Sequence, residues 1–327
     1  SRHKHRKWKS CSAGTTCCVI TPEEAEDFRQ RAWIESTQLP HMANSDVMWD
    51  IRTHPNIRKV FEHVWNTTDL ISSFDGIGLR KSGEKGLELG FHVDQDSTED
   101  GMRAVQGVLA LSRSNALTGG TVILPASHFH HSNLVSRIPS SGDNWAETGH
   151  WQFIEVPDND SIFEKCSAPV QPSLEPGDLL LWDSRTVHAV SPPTDIQTER
   201  SVAYICLGPR KFATPKTLRQ RIKAFELGIH GTHWPHNFLD RGGPRVSRAV
   251  SRSRLNRFGI WYEESPPQKP PDPCFKATSS FYVLTSMLLM IVVCFQALFL
   301  LRLFYLLYFF SFRLTFFHRD QCILQQW

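Results

Sequence analysis

Gly90-Phe91-His92-Val93-Asp94-Gln95 is the stretch on which the reading of this chain turns. Side chains alternate along a strand with a period of two, so the histidine and aspartate of an H-x-D strand point to one face and reach one ion together. A second imidazole is offered by Trp182-Asp183-Ser184-Arg185-Thr186-Val187-His188. Glu175-Pro176-Gly177-Asp178 predicts a turn ahead of it, and Leu179-Leu180-Leu181-Trp182 a short buried strand leading towards it. Two imidazoles and one carboxylate hold one face of an octahedral metal and leave the opposite face open, as a non-haem Fe(II) oxygenase requires. Arg200 heads another apolar run, residues 201–207, and its guanidinium fork suits the far carboxylate of a dicarboxylic co-substrate. H-x-D alone is a weak signal in a chain with 15 histidines; the ordered set carries the reading. The plain alternative is a group of satisfied polar residues in a β-sandwich.

Around this set the chain reads as two early helices followed by many short strands. Thr21-Pro22-Glu23-Glu24 combines a threonine cap, proline in the first turn and a reach-back glutamate, predicting a helix to about Ser36. A second helix from Pro55 to about Trp65 places Ile57, Val60, Phe61 and Val64 on one face. Strands are predicted at 70–75, 87–93, 104–111, 121–124, 152–156, 178–182 and 201–207. Thr214-Pro215 opens a further helix that Gly228 ends. This is an α+β pattern with a β-sandwich core. With 327 residues, 40% of them hydrophobic, the chain suits one catalytic domain with appendages. The net charge of +3 is too small to argue for nucleic acid, and none is expected as a partner. The eight cysteines form no C-x-x-C pair, which disfavours a disulfide scaffold or structural zinc and favours a reducing compartment.

A family resemblance then comes into view. Ser73-Phe74-Asp75, the His92-Val93-Asp94-Gln95 run, Gly119-Gly120-Thr121-Val122-Ile123-Leu124-Pro125-Ala126-Ser127-His128, Pro176-Gly177-Asp178-Leu179, His188 and Arg200 together resemble the phytanoyl-CoA dioxygenase-like family of Fe(II)/2-oxoglutarate-dependent oxygenases, over about residues 20 to 245. The resemblance implies a double-stranded β-helix of jelly-roll type. It also implies Fe(II) held by His92, Asp94 and His188, 2-oxoglutarate anchored through Arg200, and O₂ as the third reactant. Thr121 is a hydroxyl donor to the co-substrate by the same resemblance, with Gln106 a further candidate. The family commonly has glycine where this chain has Ala126, a departure that loses a turn glycine and touches no ligand. Related halogenating enzymes replace the metal-binding carboxylate by a small residue; Asp94 is present, so hydroxylation of a small-molecule or acyl substrate is the implied reaction, with release of succinate and CO₂.

Other features are weighed beside this set. Ser127-His128-Phe129-His130-His131 is the rival for iron, but has no carboxylate at suitable spacing and is read as lying behind or outside the site. His230-Gly231-Thr232-His233-Trp234-Pro235-His236 contains Gly and Pro, which forbid a regular helix, and is read as loop packing near the substrate mouth. Residues 1–20 are basic, lack periodicity and are expected to be disordered; 21–245 form the dioxygenase-like domain and 246–280 a basic, then proline-rich, linker. Residues 281–301 carry no charge and as a helix would be about 30 Å long, matching a bilayer core, so a single membrane span is expected, ahead of an apolar and basic tail at 302–327. The expected location is a membrane, with the catalytic domain in the cytosol, although Arg302, Arg313 and Arg319 would pull the C-terminus to that side instead. Two other function classes remain: a non-catalytic binding module on the same fold, and a zinc hydrolase using the same three ligands, against which Arg200 argues because hydrolysis needs no dicarboxylate clamp.

Overall fold

The computed structural model describes residues 9–11, 14–97, 99–138, 153–238, 240 and 242. The chain divides into a unit Ser1–Glu263 and a unit Glu264–Trp327, and everything described belongs to the first.

Twelve strands are present among the described residues: β1 (Lys9–Cys11), β2 (Gly14–Cys18), β3 (Leu70–Ser72), β4 (Ile77–Arg80), β5 (Leu89–Val93), β6 (Val105–Ala110), β7 (Gly120–Ile123), β8 (Ile154–Glu155), β9 (Asp178–Asp183), β10 (His188–Ser191), β11 (Arg200–Ile205) and β12 (Leu207–Pro209). They form a six-stranded sheet in the order β1-β2-β9-β6-β11-β4, a four-stranded sheet β7-β10-β5-β8, and a β12-β3 ribbon. From β4 to β11 the chain alternates between the two larger sheets, with β4, β6, β9 and β11 in one and β5, β7 and β10 in the other, the short β8 joining the smaller sheet directly after β7. That alternation with antiparallel pairing is the jelly-roll pattern expected of the core.

The period-two rule explains how the layers pack. On β6, β9 and β11 the side chains of Val108, Ala110, Leu180, Trp182 and Val202 are buried together with Ile123 of β7 and Leu174. Their neighbours in sequence, Val105, Leu109, Leu179, Leu181, Ala203 and Ile205, join a second cluster with Ala25, Phe28, Val47, Met48, Ile51, Ile57 and Phe61. Those last residues belong to three helices that cover this face: α1 (Pro22–Ser36), α2 (Asp46–Thr53) and α3 (Pro55–Trp65). A strand buried on both faces needs a continuous apolar run, which is what residues 179–182 supply. Behind the smaller sheet, Val93, Leu124, Val156 and Val187 pack against Leu134 and Val135 of α4 (His131–Arg137) and Ile162 of α5 (Ile162–Lys165). The last described helix, α6 (Pro215–Leu227), brings Ala224 and Phe225 onto Trp49 and Phe74.

The helix signals act as expected. Thr21 accepts from the Glu24 amide while Glu24 reaches back to the Thr21 amide, closing a capping box on α1. Gly228 ends α6 at φ 64°, a left-handed conformation suited to glycine. Helix α2 is an element that pattern reading passes over, because it is only eight residues long and five of them, Val47, Met48, Trp49, Ile51 and Arg52, are buried, so the exposed Asp46 and Asp50 mark its outer face over barely two turns. The basic N-terminal stretch, expected to be disordered, instead contributes β1 and β2: Thr15 to Cys18 pair with Leu181 to Asp178 of β9. The edge of the larger sheet supplies the backbone partners that the local sequence lacks. Within the predicted long excursion 134–173, α5 and β8 are short, and residues 139–152 lie outside the described residues. Among the described residues no helix is long and apolar enough to cross a membrane; residues 281–301, expected to form a span, lie outside them.

Ala126, at the position where the family commonly has glycine, has φ 65°. A left-handed alanine costs about 1–2 kcal/mol, against about 0.4–1 kcal/mol of chain entropy that glycine would lose on folding. Ala126→Gly should therefore raise unfolding stability by up to about 1 kcal/mol; a loss of stability in chemical denaturation would show that the methyl group makes compensating contacts.

Candidate metal centre

His92 lies on β5 and His188 at the head of β10, and the two are paired partners across these antiparallel strands. Opposed residues on one face of a sheet stand side by side, and the two rings are 4.2 Å apart between centroids. Asp94 follows immediately after β5. Its Oδ1 is 3.9 Å from His92 Nε2 and its Oδ2 is 3.3 Å from His188 Nε2. The candidate ligand atoms of all three residues lie within 4.8 Å of one another. Both histidines are buried, and Trp182 and Phe153 stand against their rings.

The tautomers suit a metal. His92 Nδ1 is 2.8 Å from the Gly90 carbonyl and His188 Nδ1 is 2.9 Å from the Thr186 carbonyl. A carbonyl only accepts, so each Nδ1 carries a proton and, in the neutral ring, Nε2 keeps its lone pair towards the shared space. Burial, with His188 beside it, pushes His92 down to about 4, so this ring is neutral at physiological pH. Burial opposes ionisation of Asp94, but the imidazoles of His233 and His188 outweigh it and hold the carboxyl below its usual range. Burial likewise works to lower His188, and Asp94 overcomes it, raising the pKa. The donor set is thus a carboxylate and two nitrogens crowded together, which a divalent cation would relieve.

Gln106 is buried on β6, on the inter-sheet face set by alternation with Val108 and Ala110, and its Nε2 donates to Asp94 Oδ2 at 2.6 Å. Its contact is therefore with a candidate metal ligand. Arg200 lies at the start of β11. Its Nε donates to Ser114 Oγ at 3.0 Å, and a Cβ on Gly120 would meet its Nη2 at 2.8 Å. Gly120, at φ 132°, is thus the residue that gives the guanidinium room. Among the described residues no carboxylate lies within ion-pair distance of Arg200, so its fork remains available to an anion. Along β10, His188 pairs with Ile123, and Ser191 pairs with Gly120; that offset of three residues corresponds to about 10 Å. Thr121, half-buried, sits on β7 between these two points, opposite Val190.

The rival histidines go elsewhere. His131 is buried with Nε2 2.6 Å from the Gln95 carbonyl, and the His128 ring lies tilted against that of the exposed Phe129. His233 is the member of the later cluster that comes to the site: its Nε2 is 4.0 Å from Asp94 Oδ2. Spacing carried no sign of this, since the chain between β11 and His233 passes through a full helix before returning.

Residues 19–194 match the description of the phytanoyl-CoA dioxygenase family, more than half of the chain. The chain belongs to this family. Ava biosynthesis cluster protein O of Aspergillus versicolor is 31% identical over 204 residues, covering 61% of this chain and 66% of that protein, just short of two thirds of its length. Among solved structures, the GlcNAc-inducible gene 2 protein of Candida albicans is similar with a TM-score of 0.55 at 14% identity, over 77% of this chain and 74% of that one. A hypothetical protein of Escherichia coli is similar with a TM-score of 0.52 at 16% identity, over 74% and 77%. At such identities the likeness concerns the fold. The matched family segment includes His92, Asp94 and His188, whereas Arg200 and His233 lie beyond its end.

Proposed function

We propose that this member of the phytanoyl-CoA dioxygenase family is an Fe(II)- and 2-oxoglutarate-dependent dioxygenase that hydroxylates a small-molecule or acyl substrate, releasing succinate and CO₂. The observation that carries the reading is the pairing of two features: three candidate ligands gathered together, and the Arg200 guanidinium, without a carboxylate partner among the described residues, lying against Gly120, which is about 10 Å along β7 from the residue paired with His188. His92, Asp94 and His188 would hold the iron, and Arg200 the distal carboxylate of 2-oxoglutarate. When bound, iron with its co-substrate and O₂ supplies the oxidative decarboxylation and C–H oxidation that no side chain can perform. The protein's own part is positional. The Gly90 and Thr186 carbonyls fix the two imidazoles by their Nδ1 protons, Gln106 orients Asp94, and Trp182 and Phe153 wall the histidines from water. A small-molecule substrate accords with a relative named for a biosynthesis cluster. Anaerobic reconstitution with Fe(II), followed by measurement of succinate on admitting O₂, tests the reading; absence of 2-oxoglutarate turnover under any substrate mixture, together with failure to bind Fe(II), would sink it.

The same reading makes the enzyme membrane-anchored through residues 281–301, with the catalytic unit facing a reducing compartment, the cytosol. What supports this is the uncharged run itself and the free thiols of Cys166 and Cys206 in the described unit. Truncation after Glu264 should release a soluble protein that still binds Fe(II), while the longer chain stays with membranes through a carbonate wash. A longer chain that washes off, or a truncated one that loses iron, would end the anchor proposal.

A further inference from the structure

We propose that His233 is a positioning residue of the metal site: together with Gln106 it takes up Oδ2 of Asp94 and leaves Oδ1 for the metal. The inference rests on the metal reading above. A carboxylate oxygen offers two lone-pair sites, and two side chains converge on Oδ2 from outside the ligand set, Gln106 at 2.6 Å and His233 Nε2 at 4.0 Å. His188 Nε2 is also on that oxygen, at 3.3 Å, and a metal would draw it away. The second hydrogen bond then needs His233 Nε2, carrying its proton, to come about 1 Å nearer to Oδ2.

The segment carrying His233 is held on both sides of it. Asn44 donates to the Ile229 carbonyl at 2.8 Å, and the Gly231 amide donates to the Phe74 carbonyl at 3.0 Å. Beyond His233, the wholly buried Arg221 donates to the Pro235 carbonyl at 2.8 Å while lying over the Phe74 ring. Burying a guanidinium is costly unless its donors are satisfied, and here it serves to fix a loop that has no regular secondary structure. The loop in turn puts one imidazole beside the metal-binding carboxylate. Groups that bond to a ligating carboxylate commonly alter metal affinity when removed, and a carboxylate with one oxygen occupied cannot become bidentate and block a coordination position.

The test uses the full chain, stripped of metal by chelation and titrated with Co(II) while its visible absorption is recorded. His233→Leu should weaken Co(II) binding about 10- to 100-fold and change the absorption band, because the carboxylate changes its mode of binding. His233→Gln keeps an N–H at a similar reach and should return both readouts close to those of the unaltered protein. Gln106→Leu and His233→Leu should be non-additive in the double variant, since both act on one oxygen. A His233→Leu protein that binds Co(II) with unchanged affinity and spectrum would overturn the proposal, and so would a Gln variant as impaired as the Leu variant at equal thermal stability. If the unaltered chain failed to take up Co(II), the metal reading would fall and this inference with it; uptake by the unaltered chain with no response to His233 would remove this inference alone.

Discussion

Replacing His92, Asp94 or His188 by alanine should each remove Fe(II)-dependent 2-oxoglutarate turnover to background. Loss of a residue that merely supports a ligand costs about 10- to 100-fold in metal affinity or activity, so loss of a ligand itself should exceed about 100-fold. The fold should survive, because the core clusters of the two sheets contain none of the three residues. Two measurements check this: iron retained after desalting, and succinate formed per enzyme. Retained activity in His188→Ala would mean that another imidazole completes the set, and the structure names the one to test next, His233, at 4.0 Å from Asp94. His128 and His131 are turned to other partners.

The second large effect is expected at Arg200. Arg200→Lys keeps the charge but loses the planar fork that matches a carboxylate in two-pronged fashion, and Arg200→Ala loses both. A charge-assisted hydrogen bond contributes about 1.5–3 kcal/mol, so the KM for 2-oxoglutarate should rise roughly ten- to a hundred-fold, more for Ala than for Lys. The effect should fall on KM for the co-substrate while Fe(II) affinity stays close to that of the unaltered protein, because Arg200 contacts Ser114 and Gly120 and none of the three ligands. An unchanged KM in both variants would remove the main reason for naming 2-oxoglutarate rather than another co-substrate. Gly120→Ala provides an independent check on the same pocket: its Cβ would stand 2.8 Å from the guanidinium and should raise the same KM.

Much of this arrangement was readable residue by residue. Alternation along 90–94 places His92 and Asp94 on one face, and the turn at Gly177, with φ 90°, delivers the buried strand that leads to His188. Thr21 and Gly228 punctuate helices by capping chemistry that depends on a few neighbours. These are short-range effects, and a short window of sequence contains all the atoms that produce them. Gln106 is intermediate: its parity with Val108 and Ala110 is legible, but its bond to Asp94 requires knowing that β6 faces the end of β5 across the sandwich. Beyond that, local pattern was silent or misleading. Lys9–Cys11 and Gly14–Cys18 have no periodicity of their own and become strands because β9 presents an open edge. Helix α2 shows little of its period because it is short and only Asp46 and Asp50 face outward, while five of its eight residues are buried. Spacing alone could place His92 and Asp94 together, because strand geometry relates residues two apart, whereas His188 joins them through the pairing of β10 with β5. Only the tertiary structure could place His233, whose position comes from hydrogen bonds to Asn44, Phe74 and Arg221, contacts between residues that no local rule connects.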